Sequence, residues 1–309
     1  MYKYVIKRLL WVIPIMLGVS FIVFGIMHLS PGDPAMLILG ESAQPEALEA
    51  LRAQMGLDKP FIIQYFRYIG NVVFNFDFGR SYVTNRKVID EILVRLPNTI
   101  KLAALSIVVA TAIGIPLGII ASKKPHSIVD NVVMFFSLIG VSMPTFWQGL
   151  LLIIFFSLQL GLFPATGFNT WQQMVLPVAT LASGSIGSIA RITRSSMLDV
   201  AGQDYIMTAR AKGASERAVV YSHTLRNALI PVVTIVGLQF GALLGGAVLT
   251  ESIFSINGLG TLMVMGISGR DLMIVQGGVL FIAFIFTIVN LCVDVIYAYI
   301  DPRIRAQYK

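Results

Sequence analysis

The chain has 309 residues, of which 56% are hydrophobic and only 13% charged, and its mean hydropathy is +0.79. That balance excludes a water-soluble globular domain and defines an integral membrane protein. The net charge of +7 is accounted for by where lysine and arginine fall around the apolar segments, so nucleic acid is not implied.

Six segments are long and apolar enough to cross about 30 Å of hydrocarbon at about 1.5 Å per residue. The first, Leu9 to Leu29, follows Lys3, Lys7 and Arg8. Its apolar run exceeds a signal core and no small-x-small site follows, so it reads as a retained helix. Residues 30–98 form a long outer segment. Within it PEALEALRAQMG, from Pro45, spaces Leu48, Leu51 and Met55 as one helix face and stops at Gly56. A second stripe, Val88, Ile89, Ile92, Leu93 and Leu96, opposes Asp90, Glu91 and Arg95 just before Pro97. Both helices are expected to lie on the membrane face or cap the bundle. A docking surface for an outer partner and a plain structural lid fit them equally.

The other spans are Thr99 to Ser122, Asn131 to Leu160, Met174 to Ala190, Leu229 to Thr250 and Leu272 to Ile300. All six are expected to be helices, because lipid leaves no partner for an open backbone and the runs lack the alternation of barrel strands. The third and sixth exceed the minimum length. Pro144 supplies a break in the third.

Lysine and arginine set the orientation. The inner set comprises Lys3, Lys7, Arg8, Lys123, Lys124, Arg191, Arg194, Arg210, Lys212, Arg217, Arg226, Arg303, Arg305 and Lys309, whereas the short outer loops, Gly161 to Gln173 and Glu251 to Asp271, hold only Arg270. Both termini are therefore expected in the cytoplasm.

Inside the spans, Gly237, Gly241 and Gly245 recur at intervals of four and predict a helix-packing or dimer seam. Gly241 and Gly246 share the spacing of a phosphate-binding loop, but Ala247 and Val248 stand where lysine and a hydroxyl are required. The fourth span is rich in Thr180, Ser183, Gly184, Ser185, Gly187 and Ser188, which suits tight packing or a wet pathway; packing is favoured. Ser142, Ser185, Gln239, Asn290 and Asp294 are the candidate pathway or structural polar residues. Asp294 is the acidic residue within a span and follows Asn290 on one face; a structural hydrogen bond or ion pair is favoured over a proton carrier.

His28, His126 and His223 lie at a helix end or in inner loops, so none offers a base to a serine in the fourth span, and no metal-ligand pair occurs at helical spacing. No catalytic or metal-binding residue is expected. Cys292 excludes a disulfide framework and reads as a packed apolar residue.

The long interruption from Arg191 to Asn227 looks built for a soluble partner. Gly202 ends one run, Asp204 is placed to cap a helix to Lys212, Gly213 breaks it, and Ser215 is placed to cap a second helix running toward Arg226, with Glu216 in its first turn. Connections between bundle helices are typically two to eight residues, so a mere connector would be unusually long here.

DYIMTARAKG from Asp204 to Gly213, continuing through His223 to Pro231, resembles the coupling segment of binding-protein-dependent ABC importer permeases of the dipeptide, oligopeptide and nickel group. PGDP at 31–34, GLDKP at 56–60, RLPNT at 95–99, SMPTFWQG at 142–149, RITRSSML at 191–198, GLG at 258–260 and DPRIR at 301–305 are similar to that group too. Met207, Thr208 and Ala209 replace the glutamate and two alanines of the broader superfamily, and the late proline is displaced to Pro231, as in the peptide subgroup.

The resemblance implies an all-α, type I ABC importer permease in a bacterial or archaeal cytoplasmic membrane: a first helix at 1–29, an outer segment at 30–98, and a core at 99–309 holding a coupling segment at 199–228. It implies a second homologous permease chain, two cytoplasmic ATPase subunits carrying the ATP and Mg that this chain does not bind, and an extracytoplasmic binding protein. Asp204, Tyr205, Thr208, Ala209, Arg210, Ala211, Lys212, Gly213 and His223 would face an ATPase, with Ala209 and Gly213 closest. Di- or oligopeptides are the expected cargo, with glutathione or a nickel chelate as alternatives. A proton-coupled secondary transporter relying on Asp294 is the alternative of another class, disfavoured by the absence of inverted repeats.

Overall fold

The computed structural model describes residues 2–29, 32–40 and 42–300, and at 2–5, 7, 246, 294 and 296–300 the backbone alone. Pro31 of PGDP, the DPRIR motif and the side chains of Asp294 and Tyr297 therefore lie outside the described residues.

The described chain is almost wholly helical. α1 (Tyr2–Leu29) is followed by three short outer helices, α2 (Pro34–Leu39), α3 (Pro45–Met55) and α4 (Phe61–Asn75). α3 ends as its sequence dictates, with Gly56 left-handed at φ 72° and its N–H on Ala53 O and Arg52 O. α4 was not legible as a helix in the sequence.

α5 (Val88–Lys123) joins the second outer stripe and the second span into one helix. Pro97 does not end it, and residues 98 and 99, the edge of the expected outer segment, fall inside it. Proline at this position leaves the Leu93 carbonyl without its usual donor, and Leu93 is exposed.

The third crossing is broken, as Pro144 predicts: α6 (Ile128–Ser142) and α7 (Thr145–Leu152) meet at 104°, and a π-helical stretch completes the run over Ile153–Gln159. Two contacts show that the pair crosses the bundle instead of turning back. At its start Asp130 binds Arg194, near the inner end of α8 (Trp171–Ala201), through Nε–Oδ1 at 2.5 Å and Nη2–Oδ2 at 2.6 Å. Past the bend, Gly149 packs against Thr180 and Phe254, and the Gly167 N–H donates at 2.8 Å to Phe254 O at the outer end of the next span.

α9 (Asp204–Ala211), α10 (Glu216–Ala218), α11 (Arg226–Ile253), α12 (Leu259–Ser268) and α13 (Leu272–Ile300) follow. Among the described residues, five helices are long and apolar enough to cross a membrane, and the bent pair, counted as one span, makes six.

Glycine lets α5, α6 and α8 approach closely. A Cβ on Gly114 would touch Ile186 O and Ile189, and one on Gly118 would collide with Thr193 and Ala190 O. A Cβ on Gly187 would collide with Ser137 O, and one on Gly140 would press on Ser183 O. Gly187 and Gly140 thus let the backbones of α6 and α8 lie close together. The main apolar core around Leu102, Ile107, Leu181, Ile189, Leu243 and Phe254 grows from this close approach.

Candidate functional site

At the inner end of the bundle the chain turns sharply between α8 and α11. Gly202 ends α8, and Gln203, with extended backbone, is the residue that precedes α9. Asp204 is therefore the first helical residue and not the cap that the sequence suggested; its carboxylate lies in the first turn, where the helix dipole favours it. Its carbonyl accepts from Thr208 Oγ1 at 3.0 Å.

The end of α9 is tightly folded back. Lys212 N–H reaches Thr208 O at 3.0 Å, Gly213 N–H reaches Arg210 O at 2.9 Å, and Ala214 N–H reaches Ala209 O at 3.1 Å. Gly213 has φ +84°, and a Cβ there would touch nothing within 4 Å. Glycine is required by backbone conformation and not by crowding. Arg210 closes the turn on Glu216, Nε to Oε1 at 2.9 Å.

Ser215 caps the next helix as predicted, accepting from Ala218 N–H at 3.3 Å. That helix is not freestanding: α10 passes through a π-helical turn, Val219–Leu225, directly into α11. The projection is one short helix laid against the inner extension of a membrane span, not two independent helices. α9 is thus joined to α11 by the turn that Arg210 and Glu216 close and by the helical run of α10 and the π turn.

Packing sorts the candidate residues. Ile206 is fully buried, and Ala209, one turn later on the same face, is half-buried against the chain's own body. Tyr205, Met207, Thr208, Arg210, Ala211, Lys212 and Gly213 are exposed, as is His223. Tyr205 and Met207 present large apolar surface, with Tyr205 46% and Met207 57% exposed. Beside them a groove of about 760 Å³ runs between the inner ends of α5 and α8 and the π turn, lined by Lys123, Met197, Arg217 and Tyr221 among others. The Lys123 ammonium stands 5.8 Å from the Tyr221 ring centroid.

Ser185 is buried on α8 and accepts from Gln239 Nε2 on α11 at 3.5 Å, whereas Ser142 is exposed beside the break. Asn290 on α13 lies over Gly241, and its Oδ1 is buried with no hydrogen-bond partner among the described residues. The glycine seam resolves into packing within the chain: a Cβ on Gly237 would collide with Val293 and one on Gly241 would press on Phe286, while Gly245 meets nothing within 4 Å. Cys292 is exposed on α13, not packed as expected.

Three polar clusters escaped the sequence. Glu251, with no exposed surface, accepts from Thr99 Oγ1 at 2.6 Å, Gly260 N–H at 2.7 Å and Thr261 N–H at 3.2 Å, tying α5 and α11 to the start of α12. Asp271 accepts from Ser81 Oγ and from Tyr82 N–H at 3.2 Å, fastening the outer loop to α13. Gln148 donates to Gly140 O at 3.1 Å and Met143 O at 3.3 Å and accepts from Ser183 Oγ. The available signals were GLG at 258–260 and SMPTFWQG at 142–149, but their partners are distant in sequence.

The comparisons give the class of this six-span helical bundle and its inner projection: a membrane permease. The chain belongs to the family of binding-protein-dependent transport system inner membrane components: that family matches residues 114–306, and its N-terminal counterpart matches residues 1–103. It is a multi-pass permease subunit of an ABC importer. It is 46% identical over 305 residues to the glutathione transport system permease protein GsiC of Escherichia coli, covering 99% of each chain. It is 44% identical over 309 residues to a Brucella abortus chain assigned as a peptide transport system permease, covering 97% of this chain and 98% of that one. Among solved structures, an inward-facing form of the MetNI methionine ABC transporter matches with TM-score 0.59 at 19% identity, over 69% of this chain and 97% of that one. That likeness concerns the fold.

Proposed function

We propose that this chain forms half of a translocation pathway for di- or oligopeptides in a bacterial cytoplasmic membrane, paired with a homologous permease chain and driven by two ATPase subunits that bind ATP and Mg. A binding protein on the outer side delivers the cargo. The peptide assignment rests on the relative assigned to peptide transport; the glutathione permease, itself named for a tripeptide, favours the same chemical class.

One observation carries the coupling mechanism: the exposed face of α9 is continuous, through the Arg210–Glu216 turn and the π segment, with α11. An ATPase groove that grips Tyr205, Met207, Thr208 and Ala211 would move α11 as a lever. Half-buried Ala209 supports α9 from within, which shifts the closest contact from Ala209 to Ala211. Gly213 acts by permitting the turn. Gly213→Trp would strain the backbone as well as crowd a partner, so Ala211→Trp is the cleaner probe.

In vesicles holding the assembled importer, Ala211→Trp is expected to leave insertion and subunit assembly intact while lowering peptide uptake per ATP hydrolysed by about tenfold, a loss of about 1.4 kcal/mol. Unchanged uptake per ATP would overturn the contact.

A further inference from the structure

α4 is unusual among the outer helices. On a helical wheel at about 100° per residue, Phe61, Tyr65, Tyr68 and Val72 share one face, and Gln64, Arg67, Asn71 and Asn75 form a polar stripe. The remaining arc is apolar and uncovered: Ile62, Ile63, Phe66, Val73 and Phe74 are all exposed, Phe66 by 65% and Phe74 by 84%. We infer that α4 is an interfacial helix, and that the acyl chains of the outer leaflet cover this arc.

Depth is the first argument. The Tyr65 ring packs against Phe21 and Phe24 of α1 at 5.3 and 5.6 Å between centroids, and Phe61 lies 5.7 and 5.3 Å from the same two rings. Phe21 and Phe24 precede Leu29, the outer end of the span, by eight and five residues, or roughly 12 and 8 Å of helix. Tyr65 Oη reaches deeper still, to Ser20 Oγ at 2.9 Å and Leu17 O at 3.2 Å. The ring contacts, roughly 8 to 12 Å inside the outer end of the span, lie near the level at which interfacial helices bury their apolar faces.

Continuity is the second. Phe21, Ile22 and Ile26 of the membrane-crossing α1 are themselves exposed, so the uncovered arc of α4 extends a surface that already faces lipid. The polar stripe points elsewhere. Gln64 Nε2 donates to Lys59 O at 2.8 Å and Leu57 O at 3.3 Å, and the Arg67 guanidinium reaches Gly56, so water-facing groups gather on the side of the outer loop. A patch of five large apolar side chains turned to water would be costly. Embedded in lipid, α4 anchors the outer segment and leaves α3 and the loop around Arg80 as its water-facing surface.

The test uses the full chain in its assembled complex, in phosphatidylethanolamine and phosphatidylglycerol vesicles. With Cys292→Ser as background, nitroxide labels are placed at Phe66→Cys and Val73→Cys, at Ile22→Cys as the lipid reference, and at Gln54→Cys on α3 as the aqueous reference. Collision with oxygen is compared with collision with chromium oxalate. The ratio at both α4 positions is expected to match that at Ile22 and to exceed that at Gln54 by roughly tenfold, equivalent to about 1.4 kcal/mol of partition free energy. A ratio equal to that at Gln54 overturns the inference. Exclusion of both reagents overturns it as well, since a protein would then cover the face. Assembly at wild-type level certifies folding, and Ile62→Cys on the same arc replaces any variant that fails it. The readout is independent of energy source and cargo, so its failure leaves the proposed function standing.

Discussion

Pro144 has no N–H, so the Gly140 carbonyl one turn earlier loses its helical donor, and the bend removes the donor of Met143 O as well. In lipid such groups must be satisfied internally. Gln148 does this with its side-chain amide, and Ser183 on α8 holds its oxygen. Replacing Gln148 with leucine should therefore cost about 1–3 kcal/mol for each carbonyl left bare, seen as a lower midpoint when the protein in mixed micelles is titrated with dodecyl sulfate. An unchanged midpoint would mean that the break does not depend on this amide. The proline was legible in the sequence. Its remedy was not, because glutamine four residues later has no fixed meaning until the bend directs it. Arg194 was legible for orientation alone; its partner Asp130 lies 64 positions away, and only packing of α6 on α8 joins them.

Elements show the same division between local and distant information. α3 follows from Pro45, the spacing of Leu48, Leu51 and Met55, and Gly56. α4 stayed hidden because its apolar arc is too broad for a clean stripe and its 15 residues are too few to span. α10 looked separable because polar residues at Arg226 and Asn227 resemble a gap, yet the π turn carries the backbone straight through. The clasp between α2 and α3 yields a pH prediction. Burial works to raise the Asp33 pKa, but the Arg52 guanidinium, with Nε at 2.8 Å, and the Ala35 N–H hold the carboxyl below its ordinary value of 3.8. A folded pKa below the unfolded one gives stabilisation that is complete above the ordinary value and is lost as pH falls through the lowered one. Amide exchange over residues 34–55, corrected for intrinsic rates, should rise below about pH 4, and Arg52→Met should weaken that pH dependence, leaving the part due to the Ala35 N–H. Exchange in the parent chain that stays flat to pH 3 would exclude the clasp.

For the whole molecule, length, apolarity and the placement of arginine and lysine were enough to read the six crossings, and the structure adds how they are joined. Glycines at 114, 118, 140 and 187 bring α5, α6 and α8 together, Glu251 ties α5, α11 and α12, and the inner projection runs through the π turn into α11. The Gly114 and Gly118 pair was visible in the sequence as two small residues four apart, but nothing local identifies α8 as the helix they meet. In the proposed mechanism this connection carries force from an ATPase to α11, and a proton carrier in the span is not required. The most direct test is peptide uptake by vesicles containing this chain, its permease partner, the ATPases and the binding protein, with the proton gradient collapsed and ATP supplied inside. Uptake that persists under these conditions, and is lost when ATP is withheld even with a proton gradient imposed, is the predicted result; uptake driven by the gradient without ATP would contradict the account.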